Sequence, residues 1–211
     1  MFRVKVCGLT EERGMEAAIA AGADAVGFNF WAGSPRCVTI DRARALVRRL
    51  PSQVETVGVF VNQPRGEVLS ILGETGIRWA QFHGEETPAE LNGFPHPWFP
   101  ALRPAAHQEP RLSDWMSPCI LIDAHHAVTR GGTGLAADWE RAAAWARQRP
   151  LILAGGLSPE TVAAAVARVR PAAVDLNSGV ESAPGIKDPQ RLSRALAALA
   201  GWLEGGTEAE R

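Results

Sequence analysis

Residues 3–10 read RVKVCGLT, and this stretch contains the unit from which the rest of the chain is built. A short run with strand character, Arg3 to Cys7, meets Gly8, and helical spacing follows from Glu11 to Ala21. The same order of strand, loop and helix recurs along the chain, which is the pattern of β-α units. The strand ends on a thiol, so the arrangement of the strand ends decides what Cys7 can do.

Eight such units are present between residues 3 and 203. The predicted strands are Arg3 to Cys7, Ala25 to Phe30, Val54 to Val61, Trp79 to His83, Pro97 to Leu102, Cys119 to Asp123, Leu151 to Ala154 and Ala173 to Leu176. The predicted helices are Glu11 to Ala21, Asp41 to Leu50, Arg65 to Thr75, Thr87 to Asn92, Pro110 to Trp115, Asp138 to Arg147, Pro159 to Arg168 and Pro189 to Leu203. Thr10, Ser158 and Asp188 are predicted to cap the helices that follow them.

Eight parallel strands are the number at which a sheet closes into a (β/α)8 barrel. The sequence therefore predicts a single-domain α/β TIM barrel over residues 1–204, followed by a polar tail over residues 205–211. A doubly wound open sheet is the alternative fold, although such a sheet rarely needs eight strands with so little inserted sequence.

Composition limits the class of protein. The 211 residues carry a formal net charge of -1, which provides no basic field for nucleic acid, and no apolar stretch approaches the roughly 18 residues of a membrane span. Cys7, Cys37 and Cys119 are odd in number and widely spaced, a pattern typical of neither a disulfide framework nor a zinc site. No secretory signal is visible, so we expect a cytoplasmic protein without nucleic-acid, membrane or metal partners. Lys5 and Lys187 stand out as the two lysines of an arginine-rich chain.

The carboxyl ends of barrel strands carry the catalytic side chains. Because side chains alternate along a strand, Lys5, Cys7, Asp123 and Asp175 are predicted to point into the barrel. At about 7 Å, the Lys5 cation would lower the Cys7 pKa by about 2 before the cost of desolvation, giving a base near neutral pH. Asp123 follows an apolar run that would raise its pKa and make it a proton donor. Alternatively, Asp123 is a structural residue that caps a loop or pairs with Lys5.

Glycine-rich turns follow three late strands, at residues 130–134 (RGGTG), 154–157 (AGGL) and 177–180 (NSGV). Glycines allow backbone N–H groups to approach an anion closely, and the last two turns occupy the usual phosphate site of a TIM barrel. Tight connections between strand and helix would also explain any one of these turns. The predicted phosphate site consists of Gly132, Gly134, Gly155, Gly156, Asn177, Ser178 and Gly179.

Seven segments together resemble the phosphoribosylanthranilate isomerase family of tryptophan biosynthesis, and they cover nearly the whole chain in the family's order. They are residues 5–10 (KVCGLT), 34–36 (SPR), 81–84 (QFHG), 121–123 (LID), 131–134 (GGTG), 153–157 (LAGGL) and 174–181 (VDLNSGVE). The resemblance implies a cofactor-free Amadori rearrangement, an aldose-ketose isomerisation of N-(5-phosphoribosyl)anthranilate to 1-(2-carboxyphenylamino)-1-deoxyribulose 5-phosphate.

The resemblance also implies residue roles. Asp123 corresponds to the general acid that protonates the ribose ring oxygen, and Cys7 to the general base that removes the C2 proton. Arg36 corresponds to the residue that holds the anthranilate carboxylate, a task suited to a planar bidentate cation. The glycine turns correspond to the phosphate cradle. The expected ligand is thus a small phosphorylated sugar-anthranilate, bound by a monomer or homodimer.

Two other functions fit parts of the pattern. A sugar-phosphate isomerase of histidine biosynthesis, or a dual-substrate enzyme, typically has aspartate where this chain has Cys7. A non-catalytic phosphate-binding barrel needs no matched acid and base. His83 is interpreted as a hydrogen-bonded structural imidazole, with Lys5 and Asp175 as supporting residues, and the loop over residues 125–130 as a mobile cover for the substrate.

Overall fold

The computed structural model describes residues 1–103, 110–123 and 134–205. Eight parallel strands close into a barrel in chain order, which confirms the predicted TIM barrel. The strands are β1 (Val4–Val6), β2 (Ala25–Asn29), β3 (Glu55–Phe60), β4 (Trp79–Phe82), β5 (Trp98–Leu102), β6 (Ile120–Asp123), β7 (Leu151–Ala154) and β8 (Ala173–Leu176). The helices are α1 (Glu12–Ala21), α2 (Ile40–Val47), α3 (Arg65–Thr75), α4 (Pro88–Leu91), α5 (Gly134–Ala146), α6 (Val162–Val169), α7 (Pro189–Ala198) and α8 (Ala200–Gly205).

The barrel wall separates two apolar clusters. Val4, Val6 and Val174 belong to the larger cluster, which lies between the strands and the helices. The smaller cluster fills the inside of the barrel with side chains that include Phe99 and Leu121. This inner cluster fills the lower part of the barrel, so the polar side chains at the carboxyl ends of the strands lie above an apolar layer.

Helix boundaries follow local hydrogen bonds that the sequence shows only in part. Asp188 caps α7 as predicted, because its Oδ1 accepts from the backbone N–H groups of Gln190 and Arg191. The prediction that Ser158 caps a helix starting at Pro159 is wrong: Ser158 and Thr161 form their own turn, and α6 begins at Val162.

Three further helix predictions need correction. Thr10 does not cap α1, because its hydroxyl donates to the carbonyl of Gly185 at 2.8 Å. The helix predicted over Pro110 to Trp115 is, in the described residues there, a single 3-10 turn over Leu112–Asp114. The last predicted helix is two helices, α7 and α8, separated at Leu199.

An antiparallel hairpin follows β8 that the sequence did not indicate. It consists of β9 (Glu181–Ala183) and β10 (Ile186–Lys187), joined through Gly185, whose φ is 84°. The hairpin packs beside α1, and its buried Glu181 and Lys187 lie next to the mouth of the barrel.

The C-terminal end of the predicted domain plan is only partly described. Gly205 ends α8, while residues 206–211 of the predicted tail lie outside the described residues, so the domain boundary at residue 204 stays a prediction. None of the helices in the described parts is long and apolar enough to cross a membrane.

Candidate active site

A cavity of about 380 Å³ opens at the carboxyl ends of the strands. Nine of the predicted site residues line it: Cys7, Arg36, His83, Asp123, Gly155, Gly156, Asp175, Asn177 and Ser178. Lys5 is fully buried beside the cavity, next to Cys7. The closure of the barrel therefore brings together residues that are up to 171 positions apart, from Cys7 to Ser178, in one small space.

The remaining predicted phosphate residues are placed differently. Gly132 lies outside the described residues, as does the predicted cover loop over residues 125–130, and Gly134 is the first residue of α5. Gly179 packs so tightly against the turn after β7 that a Cβ there would lie 2.0 Å from the carbonyl oxygen of Leu157. A glycine is therefore required at residue 179 to bring the turns after β7 and β8 together.

Lys5 and Asp175 form a buried ion pair across the β1–β8 register. Lys5 Nζ donates to Asp175 Oδ2 at 2.8 Å, and the two side chains are 0% and 6% exposed. Burial alone would lower the pKa of Lys5, but the charges of Asp175 and Cys7 outweigh it, so the pKa of Lys5 is raised and the ammonium stays charged. The alternative pairing of Lys5 with Asp123 is thus replaced by a pairing with Asp175.

Cys7 lies directly against Lys5, and Gly27 makes room for both. A Cβ on Gly27 would lie 2.8 Å from Cys7 Sγ and 3.0 Å from Lys5 Cε. Burial raises the pKa of the Cys7 thiol by more than the Lys5 charge lowers it. The lowering by Lys5 that was predicted before the cost of desolvation is outweighed, because the thiolate loses its hydration while Asp175 offsets part of the lysine field.

Removal of the Lys5 charge is expected to raise the Cys7 pKa further, since Lys5 is the main group that lowers it. The pH dependence of iodoacetamide alkylation at Cys7, followed by peptide mass spectrometry, should show an inflection at higher pH in Lys5→Met than in the original protein. Cys119 is an internal control because burial raises its pKa to about 12. An unchanged Cys7 inflection in Lys5→Met would refute the proposed influence of Lys5.

Asp123 ends β6 and faces His83, which follows β4. His83 Nε2 lies 4.0 Å from Asp123 Oδ2, and both side chains are about one-fifth exposed, at 20% and 19%. Gln81 Nε2 lies 3.1 Å from His83 Nδ1. A hydrogen bond from Gln81 to Nδ1 places the proton of a neutral imidazole on Nε2, the nitrogen that faces the Asp123 carboxyl group.

Arg36 is held by Glu181 of the unpredicted hairpin. The guanidinium donates from Nε at 2.9 Å to Oε1 and from Nη2 at 2.6 Å to Oε2 of Glu181. Lys187 Nζ donates to Glu181 Oε1 at 2.8 Å and to Asn177 Oδ1 at 3.0 Å. Burial alone would raise the pKa of Glu181, but its hydrogen bonds with Arg36 and Lys187 lower it, so the residue is a carboxylate. This network connects the predicted carboxylate-binding arginine to the predicted phosphate turn.

The chain as a whole is similar to one family of known proteins. Residues 4–198 match the family described as N-(5'-phosphoribosyl)anthranilate (PRA) isomerase. The chain belongs to the phosphoribosylanthranilate isomerase family. Its predicted class, an aldose-ketose isomerase, is confirmed by that membership, and the family's function in tryptophan biosynthesis is supported.

Relatives of this isomerase are similar over nearly their whole length. An isomerase of Pseudomonas fluorescens is 43% identical over 205 residues, covering 93% of this chain and 95% of the relative. The solved phosphoribosylanthranilate isomerase of Thermotoga maritima has a TM-score of 0.86 at 34% identity, covering 95% of this chain and 100% of its own. Another solved isomerase, in complex with reduced 1-(o-carboxyphenylamino)-1-deoxyribulose 5-phosphate, has a TM-score of 0.80 at 30% identity, with coverages of 95% and 100%.

Three residues of this isomerase site were missed by the sequence prediction: Gln81, Glu181 and Lys187. Side-chain alternation could have predicted Gln81, since it lies two residues before His83 and both side chains then point to the inside of the barrel. Lys187 had a weaker signal, as one of only two lysines. The role of Glu181 was not readable, because the hairpin that carries it follows no periodic pattern.

Two buried oxygens of the isomerase site lack donors. Among the described residues, no hydrogen-bond donor reaches Gln81 Oε1 or Asp175 Oδ1. A buried acceptor without a partner costs about 1–3 kcal/mol of stability. The fold thus places two buried acceptors without a protein donor on residues that line this cavity.

Proposed function

We propose that the chain catalyses the cofactor-free rearrangement of N-(5-phosphoribosyl)anthranilate to 1-(2-carboxyphenylamino)-1-deoxyribulose 5-phosphate. The observation that carries the proposal is that one cavity is lined by a thiol, Cys7, and a carboxyl group, Asp123, at the carboxyl ends of β1 and β6. An acid and a base at one substrate can move a proton without changing the oxidation state, as an isomerisation requires. The ligand in the solved relative supports the same substrate class.

In the proposed mechanism, Asp123 donates a proton to the ribose ring oxygen, and the bond between that oxygen and C1 breaks to give a Schiff base. The Cys7 thiolate then removes the proton from C2, and the electron pair neutralises the nitrogen to form an enolamine. The enolamine takes up a proton at C1 as its hydroxyl loses one, giving the ketone. Because the Cys7 pKa is raised, its thiolate is a minor but strongly basic species at neutral pH.

The two ends of the proposed substrate are anions, and cationic or N–H groups of this chain face each of them. Glu181 occupies the Nε and Nη2 edge of Arg36, which leaves the Nη1 edge for the anthranilate carboxylate. The proposed phosphate cradle uses the turns after β7 and β8, namely Gly155, Gly156, Asn177, Ser178 and Gly179, with Gly132 and Gly134 of the preceding turn.

Assembly and location belong to the same proposal. The Thermotoga maritima relative is dimeric, and we propose a monomer or homodimer for this chain. A cytoplasmic location is proposed because phosphorylated biosynthetic intermediates are made and consumed there. The proposed partner is the small-molecule substrate.

Turnover of freshly prepared phosphoribosylanthranilate, followed by the decay of its anthranilate fluorescence, tests this proposal. The original protein should convert the substrate, and Asp123→Asn should lower kcat about 10²-fold, because the amide has no acidic proton to give. Asp114→Asn, at an exposed aspartate in the 3-10 turn, is the matched control and should retain full activity. Absence of turnover in the folded original protein would refute the proposed function.

A further inference from the structure

The two unpartnered oxygens belong to side chains that are almost completely buried in the wall of the same cavity. Gln81, on β4, is 2% exposed, and Asp175, on β8, is 6% exposed. Both line the cavity that contains Cys7 and Asp123. They lie on strands that are four positions apart in an eight-stranded barrel, so they face the cavity from opposite sides.

Neither side chain is free to turn toward another donor. Gln81 Nε2 is engaged with His83 Nδ1 at 3.1 Å, and Asp175 Oδ2 accepts from Lys5 at 2.8 Å. Each of these contacts uses the other polar atom of its side chain, so Gln81 Oε1 and Asp175 Oδ1 remain without a donor. Buried polar atoms are satisfied in the great majority of native proteins, so two exceptions lining one cavity point to a ligand that supplies the donors.

The other buried side-chain polar atoms without a hydrogen-bond partner, among the described residues, belong to residues that do not line this cavity. Gln63 Oε1, Trp139 Nε1 and Arg149 Nε are also buried without a hydrogen-bond partner, and none of these three residues is part of its wall. The coincidence of two acceptors is thus a property of the active-site cavity.

We propose that Gln81 Oε1 and Asp175 Oδ1 accept hydrogen bonds from hydroxyl groups in the sugar portion of the substrate. This inference rests on the proposed function and deepens it, because it makes the two residues determinants of specificity for a hydroxylated chain. At neutral pH the carboxylate at one end of the substrate has no proton to donate and the phosphate at the other end is mostly a dianion, and the Asp175 carboxylate repels both. The hydroxyl groups between those ends are neutral donors, which match two acceptors.

The pair of acceptors also orients the substrate. An anionic end placed beside Asp175 would meet a like charge, whereas Arg36 and the glycine turns attract anions elsewhere in the cavity. The two acceptors thus recognise the hydroxylated middle of the substrate and also determine the direction in which the substrate lies. Sites built to hydrogen-bond a hydroxyl discriminate strongly against analogues that lack it.

Binding titrations with the intact protein test the proposal. The probes are reduced 1-(o-carboxyphenylamino)-1-deoxyribulose 5-phosphate and versions that each lack one sugar hydroxyl. In the original protein, at least two of the deoxy probes should bind tenfold or more weakly than the complete probe. In Gln81→Met, the affinity difference between the complete probe and one of the deoxy probes should fall to about twofold or less, because the acceptor for that hydroxyl is gone. Gln81→Glu keeps an acceptor oxygen, so the deoxy probe should still bind this variant tenfold or more weakly than the complete probe.

Asp175→Asn is the second variant. Its amide oxygen is a neutral and therefore weaker acceptor, so the loss of affinity for a different deoxy probe should shrink. A purely structural role of Gln81 would weaken all probes equally and leave the deoxy losses unchanged, which would overturn the proposal. Equal binding of complete and deoxy probes by the original protein would also overturn it. Turnover of phosphoribosylanthranilate is measured separately: its absence, with hydroxyl discrimination intact, would refute the isomerase function and retain the sugar-hydroxyl site.

Discussion

Replacement of Cys7 by serine is expected to lower kcat by about 10³-fold and to leave KM nearly unchanged. Cys7 is 5% exposed, and its thiol lies between Lys5 and the cavity. An alcohol is a much weaker acid than a thiol, so serine provides almost no anionic base at neutral pH even with Lys5 beside it. In the proposed function, substrate binding depends mainly on Arg36 and the turns after β7 and β8, which Cys7→Ser leaves in place.

The matched control for this prediction is Cys119→Ala. Cys119 is also fully buried, but it belongs to the apolar cluster inside the barrel, two inward-facing positions below Asp123 on the same strand. Its loss should lower stability slightly and leave kcat unchanged. The assignment of Cys7 as the base would be wrong if Cys7→Ser retained more than about one-tenth of the original kcat, since base catalysis contributes about 10²–10⁴-fold.

The second large effect concerns stability. Asp175→Leu is expected to lower the free energy of unfolding by about 3–5 kcal/mol, because it leaves the Lys5 ammonium buried without its counter-ion. For a protein of about this size, such a loss corresponds to a fall in Tm of about 6–20 °C. Lys5 is 0% exposed, so the charge has no route to solvent without disruption of β1.

The double variant Lys5→Met/Asp175→Leu should recover most of that loss, since replacement of a complete buried ion pair by apolar side chains is often nearly neutral. Urea unfolding of the original protein and of the single and double variants measures the coupling between the two residues. If the double variant were as unstable as Asp175→Leu, the charges would not stabilise the fold as a pair. Activity is not the readout here, because both residues adjoin Cys7, the proposed base.

Much of the site was predictable because it depends on two local rules. Alternation of side chains along β1 and β6 placed Cys7 and Asp123 on the inner face, and the order of strands placed both at the carboxyl end of the barrel. Both rules need only residues that are neighbours in the chain. The helix cap at Asp188 is another local feature, and it was predicted correctly.

Local patterns failed where a distant partner competed for the same group. The Thr10 hydroxyl, expected to cap α1, instead donates to Gly185, which is 175 residues away. Ser158 has a good capping side chain, but its backbone N–H donates to the Thr161 hydroxyl, and the two residues form a separate turn before α6. In each case a hydrogen bond that the local pattern does not reveal replaced the expected helix cap.

By itself, the sequence of this chain determined the eight-unit barrel, the family, and the presence of a thiol and a carboxyl group at the strand ends. Only the tertiary structure decided which charges meet: Lys5 pairs with Asp175 over 170 residues, and Arg36 with Glu181 over 145. It also decided the sign of the Cys7 pKa shift, because burial outweighs the lysine charge. The physical reason is that alternation and periodicity depend on the backbone of a few neighbouring residues, whereas ion pairing and desolvation depend on what the closed barrel places within a few ångströms.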